Sequence, residues 1–242
     1  MELTNVPGID TIYYQLRMGS ANRERKDRMA IQFVELQNPG NGNIPVRVAR
    51  GHFATSHSHI NYYVDLTETK YKLSEAREAA VQLASRFKGS TIIDTILCLD
   101  GTEVIGACMA SELTKASFTS VNSNRAIYVI TPEHTTGSQL IFRDNTAPMI
   151  VGKHVLVLAA SVTTGYTAQG AIEAVRYYGG MVVGVCSVFA TMEECFGYKV
   201  TSIFNTHATL PDYQNTPSYE CPLCKAGVRL DAMVNTYGIS GF

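Results

Sequence analysis

Hydroxyl-bearing residues gather at one point of the chain, Val155-Leu-Val-Leu-Ala-Ala-Ser-Val-Thr-Thr-Gly-Tyr-Thr167. An apolar run delivers Ser161, Thr163, Thr164 and Thr167, with Gly165 and Tyr166 among them, to the start of a helical pattern. At such a junction the first backbone N–H groups of the helix lack intrahelical partners and lie at the positive end of its dipole, which suits a phosphate. The threonines would add hydroxyl donors, and Gly165 would let the backbone approach the ligand closely. Ordinary turn and capping chemistry would leave the same local composition. Neither of the better-known phosphate loops, GxxxxGK[ST] or GxGxxG, occurs.

Three further groups could do chemistry. In Cys98-Leu-Asp-Gly-Thr-Glu-Val-Ile-Gly106, the turn Asp100, Gly101, Thr102 and Glu103 offers two carboxylates that could hold Mg²⁺ against an anion, or simply a turn aspartate and a first-turn glutamate. His134 lies in a polar stretch, 131–139, and is either a phosphate donor or a surface histidine. Phe53, Tyr62 and Tyr63 could stack on a planar ring or fill a core. Cys221-Pro-Leu-Cys224 has metal-ligand spacing, but a tetrahedral site needs four ligands and no second CxxC exists. His207 is the nearest candidate in the same region, and an oligomer interface could complete the set; otherwise the pair is incidental. The remaining cysteines, 98, 108, 186 and 195, lie in apolar segments and read as reduced core thiols.

The elements that must position these groups alternate from about residue 66 onward. Ala76, Ala79, Ala80, Leu83, Ala84 and Phe87 recur at helical spacing over 74–87, and Thr91–Leu99 is apolar on both faces, as a buried parallel strand requires. A helix over 101–113, a short strand over 126–130 and a mobile loop over 131–139 follow. Then come a strand over 154–160, a polar turn over 161–167, a helix over 168–178 and a strand over 181–190. Strand, helix, strand in this order predicts an α/β fold, a mostly parallel sheet flanked by helices with right-handed crossovers. The first 65 residues are irregular and rich in turn formers. The expected organisation is an N-terminal hood over 1–65, a core over 66–210, and a C-terminal tail over 211–242 that packs on the hood or on a dimer partner.

Composition excludes several classes of function. The 242 residues carry 20 Lys and Arg against 21 Asp and Glu, a formal net charge of -1, and no basic stripe for nucleic acid or an anionic membrane. No apolar run approaches the roughly 20 residues a spanning helix needs. The first residues, Met-Glu-Leu-Thr-Asn-Val-Pro-Gly, lack the basic and apolar regions of a secretory signal, which predicts a cytoplasmic protein.

The segment Val155–Thr167 resembles the signature of type I phosphoribosyltransferases, a strand followed by a Thr-Thr-Gly-x-Thr loop. Gly51-His-Phe53 and Tyr62-Tyr-Val-Asp65, Glu133-His134 with Gly137, and Cys221-Pro-Leu-Cys-Lys-Ala-Gly227 resemble the orotate phosphoribosyltransferase branch, in the right order over about residues 48–228. The resemblance implies a phosphoribosyltransferase-type, Rossmann-like α/β core with its site at the carboxyl ends of the strands. It also implies a homodimer, a Mg²⁺ cofactor, and the loop Ser161–Thr167 on the 5'-phosphate of phosphoribosyl pyrophosphate. Asp100–Glu103 would face the pyrophosphate, His134 would belong to the catalytic loop, and the Phe53/Tyr62/Tyr63 region would lie at the base.

The chain departs from that pattern at specific positions. The family's acidic pair, which accepts hydrogen bonds from the ribose hydroxyls, falls on Ala159 and Ala160. Losing two charge-assisted bonds of roughly 1.5–3 kcal/mol each would weaken ribose binding on the order of 10² to 10⁴-fold. Pro132 stands where a catalytic lysine would align, and no Lys or Arg lies between Arg125 and Arg143 or between Arg50 and Lys70. The expected function is therefore a diverged member that binds a phosphorylated ribose or nucleotide monophosphate with catalysis weakened or lost. The alternative is an active transferase of pyrimidine nucleotide metabolism that joins a phosphoribosyl group to a base such as orotate.

Overall fold

The computed structural model describes residues 31–36, 44, 46–137 and 139–242, so much of the hood expected over 1–65 lies outside the described residues. The core sheet is built from β4 (Thr95–Cys98), β5 (Tyr128–Ile130), β8 (His154–Val162), β9 (Met181–Ala190) and β11 (Tyr198–Asn205), with the short β10 (Glu194–Cys195) at its edge. Its order is β10-β11-β9-β8-β4-β5, and every pairing is parallel except β10 with β11. The strands β4 and β8 are largely apolar because both faces are covered. Ile96, Cys98, Leu156, Leu158 and Ala160 face α2 (Leu73–Ser85) and α3 (Glu103–Thr114), while Leu97, Val155, Val157 and Ala159 face α4 (Tyr166–Tyr177). This alternation with period two makes three layers, helix on sheet on helix.

A second sheet covers the carboxyl-terminal side. β2 (Val46–Ala54) and β3 (His59–Asp65) form an antiparallel hairpin, β1 (Phe33–Leu36) pairs with the first half of β2, and β12 (Asn215–Thr216) pairs with β3. The chain's last strands, β13 (Ala232–Asn235) and β14 (Gly238–Gly241), join the same sheet, with β13 running parallel to β2 at Phe53 and Ala54. Val46 and Val48 pack in one apolar cluster with Ala76, Ala80 and Leu83 of α2, which seats this sheet on the core. Between β3 and α2, the short α1 (Thr67–Tyr71) turns the chain. Two further short helices are α5 (Thr206–Thr209) and α6 (Pro222–Lys225). Among the described residues no helix is long and apolar enough to cross a membrane.

Three segments differ from the sequence expectation, and of these the strand expected over 91–99 is confined to Thr95–Cys98. The stretch 131–139 carries the first strand of a small hairpin, β6 (Glu133–His134) against β7 (Leu140–Ile141). Backbone pairing needs no side-chain periodicity, and the turn is closed by Thr135 N–H donating to Gln139 O (2.9 Å) and by Arg143 on Glu133 (2.6 Å). The turn expected over 161–167 is also shorter. Thr191 N–H donates to Val162 O (3.0 Å), so β8 continues through Val162, and α4 opens at Tyr166.

Candidate functional site

In chain order the parallel strands lie 2-1-3-4-5, with β4 first and β8 third. The connections leave β4 and β8 in opposite directions, and a crevice opens outside their carboxyl ends, where ligands bind in open α/β sheets. A cavity of about 330 Å³ occupies that place, large enough for a small organic ligand.

Its floor is the β8–α4 junction. Gly165, at φ +79°, starts α4 from the left-handed region, and a Cβ there would also lie 3.0 Å from Cys195 Sγ and 3.4 Å from Met192 Sδ. The glycine is thus required by the turn and by the packing behind it, a reason different from the ligand approach that the sequence suggested. Ser161, Thr163, Thr164, Gly165, Tyr166 and Thr167 all line the cavity. No side chain caps α4, so its first-turn N–H groups stay available to a ligand. Thr191 Oγ1 pins the loop from behind by donating to Thr163 O (2.8 Å).

The two alanines at the end of β8 point to opposite faces. Ala160 lines the cavity, whereas Ala159 packs under α4 beside Val157 and Ala168.

Of the turn after β4, Asp100 lines the cavity. Asp100 (φ +59°) and Gly101 (φ +79°) form a left-handed pair, and a Cβ on Gly101 would lie 2.8 Å from the Tyr71 hydroxyl. Thr102 turns inward, where its hydroxyl donates to Leu99 O (2.8 Å) and Leu158 O (3.2 Å). Glu103 is exposed in the first turn of α3, and neither it nor Thr102 belongs to the lining.

The sequence reading missed the residue that faces Asp100. Lys70 is buried at 5% exposure, lines the cavity, and donates through Nζ to Asp100 O (3.1 Å) and Thr236 O (2.7 Å). Leu66, Thr69 and Lys70 are all buried at helical spacing, a periodicity that could have placed the lysine inward. Burial lowers the Lys70 pKa against the opposing charges of Asp100, Glu103 and Asp65. Burial likewise raises that of Asp100, against Lys70 and then His134. His134 stands near Asp100 but outside the lining, and Lys70 and Asp100 are the formally charged residues among those that form the cavity wall.

The aromatic wall is also redistributed. Phe53 is fully buried in the core of the second sheet, with its ring 6.2 Å from Tyr63. Tyr62 and Tyr63 reach the cavity, joined by Phe189 and Tyr213, which meet edge-on at 5.8 Å and which the sequence did not single out. Tyr62 donates to Asp212 Oδ2 (2.9 Å), and burial pushes the Tyr63 hydroxyl up to about 12.

The cysteines divide as expected in part. Cys98, Cys186 and Cys195 are buried free thiols and Cys108 is half-buried. Cys221 and Cys224 converge with His52 and His59, not with His207. Both histidines flank the β2–β3 turn, far from the CxxC in sequence, so spacing alone could not have selected them.

No protein-family model matches the chain. It is 26% identical over 184 residues to an orotate phosphoribosyltransferase of Caldanaerobacter subterraneus subsp. tengcongensis, covering 76% of this chain and 88% of that protein. It is 28% identical over 187 residues to an orotate phosphoribosyltransferase of Chlorobium phaeobacteroides, covering 75% and 86%. A solved orotate phosphoribosyltransferase of Aeropyrum pernix superposes with a TM-score of 0.48 at 18% identity, covering 66% of this chain and 89% of that one. Over three quarters of its length the chain is thus similar in sequence to two orotate phosphoribosyltransferases.

Proposed function

We propose that the chain binds a phosphorylated ribose or a nucleotide monophosphate in the cavity at the ends of β4 and β8, with phosphoribosyl transfer weakened or lost. The observation that carries this reading is the asymmetry of the lining. The Ser161–Thr167 loop offers hydroxyls and uncapped helix N–H groups for a phosphate. Beside it, Ala160 presents a methyl group where the resemblance implies a ribose acceptor. Tyr62, Tyr63, Phe189 and Tyr213 give a planar ring apolar surface to lie against.

Mg²⁺ fits this lining in a limited way. The ion is commonly held through one or two carboxylates plus the phosphates of the substrate, and Asp100 is the carboxylate at hand. Asp100 would hold it, and the ion would neutralise pyrophosphate charge. Glu103 and His134, outside the lining, have weaker claims to a role. Lys70 favours the second reading, an active transferase acting on a pyrimidine-like base such as orotate, because it supplies a buried cation for an anionic group. A homodimer, implied by the resemblance, is open to sedimentation analysis.

The test is calorimetric titration with phosphoribosyl pyrophosphate and Mg²⁺, in parallel with orotidine monophosphate and ribose 5-phosphate, together with a turnover assay of phosphoribosyl pyrophosphate with orotate. Binding of the monophosphates with no turnover of the pyrophosphate compound supports the proposal. Turnover with orotate selects the transferase, and binding of none refutes both.

A further inference from the structure

We propose that His52, His59, Cys221 and Cys224 form a structural zinc site that clamps the C-terminal segment to the β2–β3 hairpin. Their ligand atoms all lie within 4.8 Å of one another. His52 Nε2 is 3.1 Å from His59 Nδ1, 3.4 Å from Cys221 Sγ and 3.6 Å from Cys224 Sγ, and His59 Nδ1 is 3.3 Å from Cys224 Sγ. With Zn–N near 2.05 Å and Zn–S near 2.3 Å, the edges of a tetrahedral site are about 3.3 Å for N···N and about 3.6 Å for N···S. The four observed separations have the size of those edges.

Hydrogen bonding alone accounts poorly for this cluster. His52 Nδ1 lies 3.0 Å from Val228 O, a contact that needs a proton on Nδ1 and in the neutral ring leaves a single lone pair on Nε2. Three polar atoms crowd that one lone pair, whereas one metal ion would serve all four groups together. The Nδ1–H···O=C bond is also the arrangement that orients metal-bound histidines. Imidazole and thiolate ligands in a tetrahedron select zinc among common divalent ions, and a closed set of four protein ligands is structural rather than catalytic. His52 and Cys221 are buried, while Cys224 is exposed and gives the ion a way in.

The clamp has a defined mechanical role. His52 lies on β2 and His59 on β3, so both sit at the base of a turn whose residues Thr55–Ser58 line the cavity. Cys221 is the N-cap of α6 and Cys224 lies within it, and the chain that follows returns through β13 to pair with β2. Val234, Asn235 and Thr236 from that segment line the cavity as well. One ion would therefore fix two walls of the same cavity from outside it.

The experiment is metal analysis of the full chain, purified without chelator from zinc-supplemented culture, followed by Co²⁺ exchange on reduced protein. About one zinc per chain is expected, with tetrahedral ligand-field bands and a thiolate-to-cobalt charge-transfer band on exchange. Cys221→Ser with Cys224→Ser should lower the zinc content at least tenfold, and His207→Ala should leave it unchanged. Absence of both stoichiometric zinc and a thiolate–cobalt band in the unmodified chain overturns the proposal, whether or not the variants fold. Full zinc retention in the double variant overturns it too.

Discussion

Ala160→Asp tests the proposed ribose side of the cavity. The side chain at 160 reaches the cavity, so an aspartate there needs no rearrangement of β8 to meet a ligand. One restored charge-assisted hydrogen bond of about 1.5–3 kcal/mol corresponds to roughly 10 to 150-fold tighter binding. The gain should appear with ribose 5-phosphate and fade with the 2-deoxy sugar, which separates a sugar contact from a general effect. Ala159→Asp is the internal control. It points under α4 into an apolar cluster, and a buried carboxylate there should cost several kcal/mol of stability. Calorimetry reads the affinities and thermal denaturation reads the folds. If folded Ala160→Asp binds ribose 5-phosphate no more tightly than the parent, the sugar does not lie along β8 and the proposed pose is wrong.

Gly165→Val should lower stability by about 1–3 kcal/mol through its left-handed φ and its approach to Cys195, and abolish phosphate-ligand binding in calorimetry; Thr164→Ala should weaken binding alone. Lys70→Met leaves Asp100 O and Thr236 O without their donor, and anionic ligands should bind about tenfold or more weakly, with unchanged affinity counting against a charge role. Asp94 is held down to about 2: burial works to raise it, and hydrogen bonds from the His154 backbone and ring and from Arg125 outweigh that. Because the folded value lies below the unfolded one, its contribution is present above about pH 4 and lost as pH falls towards 2, so Asp94→Asn should flatten the acid limb of a stability–pH curve. Zinc removal by chelation at neutral pH should lower the melting temperature and expose the C-terminal segment to proteolysis, with no change in either speaking against the clamp.

The core was legible because its signals are local. Apolar β-branched runs between helical stripes identify β4, β8 and β9, and the hydroxyl run at the end of β8 marks the loop that lines the cavity. Direction along a strand was harder to read. Ala159 and Ala160 are neighbours in sequence and look equivalent, yet the period of two puts them on opposite faces. Thr102 and Phe53 are of types that bind ligands, but a buried hydroxyl is satisfied by two carbonyls and a buried ring by its own core. Lys70 and the two histidines were missed for the opposite reason. Their partners, Asp100, Thr236 and the CxxC, are supplied by distant segments, and Thr236 comes alongside where β13 returns to pair with β2.

That return gives the molecule a particular division of labour. The Ser161–Thr167 loop stands on β8, a central strand with both faces covered, and its backbone is fixed by Thr191 and by the packing of Gly165. The opposite wall is assembled from separate segments: a hairpin turn, the strand β13, and Lys70 bonded to the carbonyl of Thr236. Hairpin turns and loops are among the parts of a domain that open most readily. A metal clamp at the base of that wall and a buried lysine bonded across it both oppose such opening. On the proposed function, the fixed half of the cavity would meet the phosphate that such ligands share, and the clamped half is where selectivity for the base would be set.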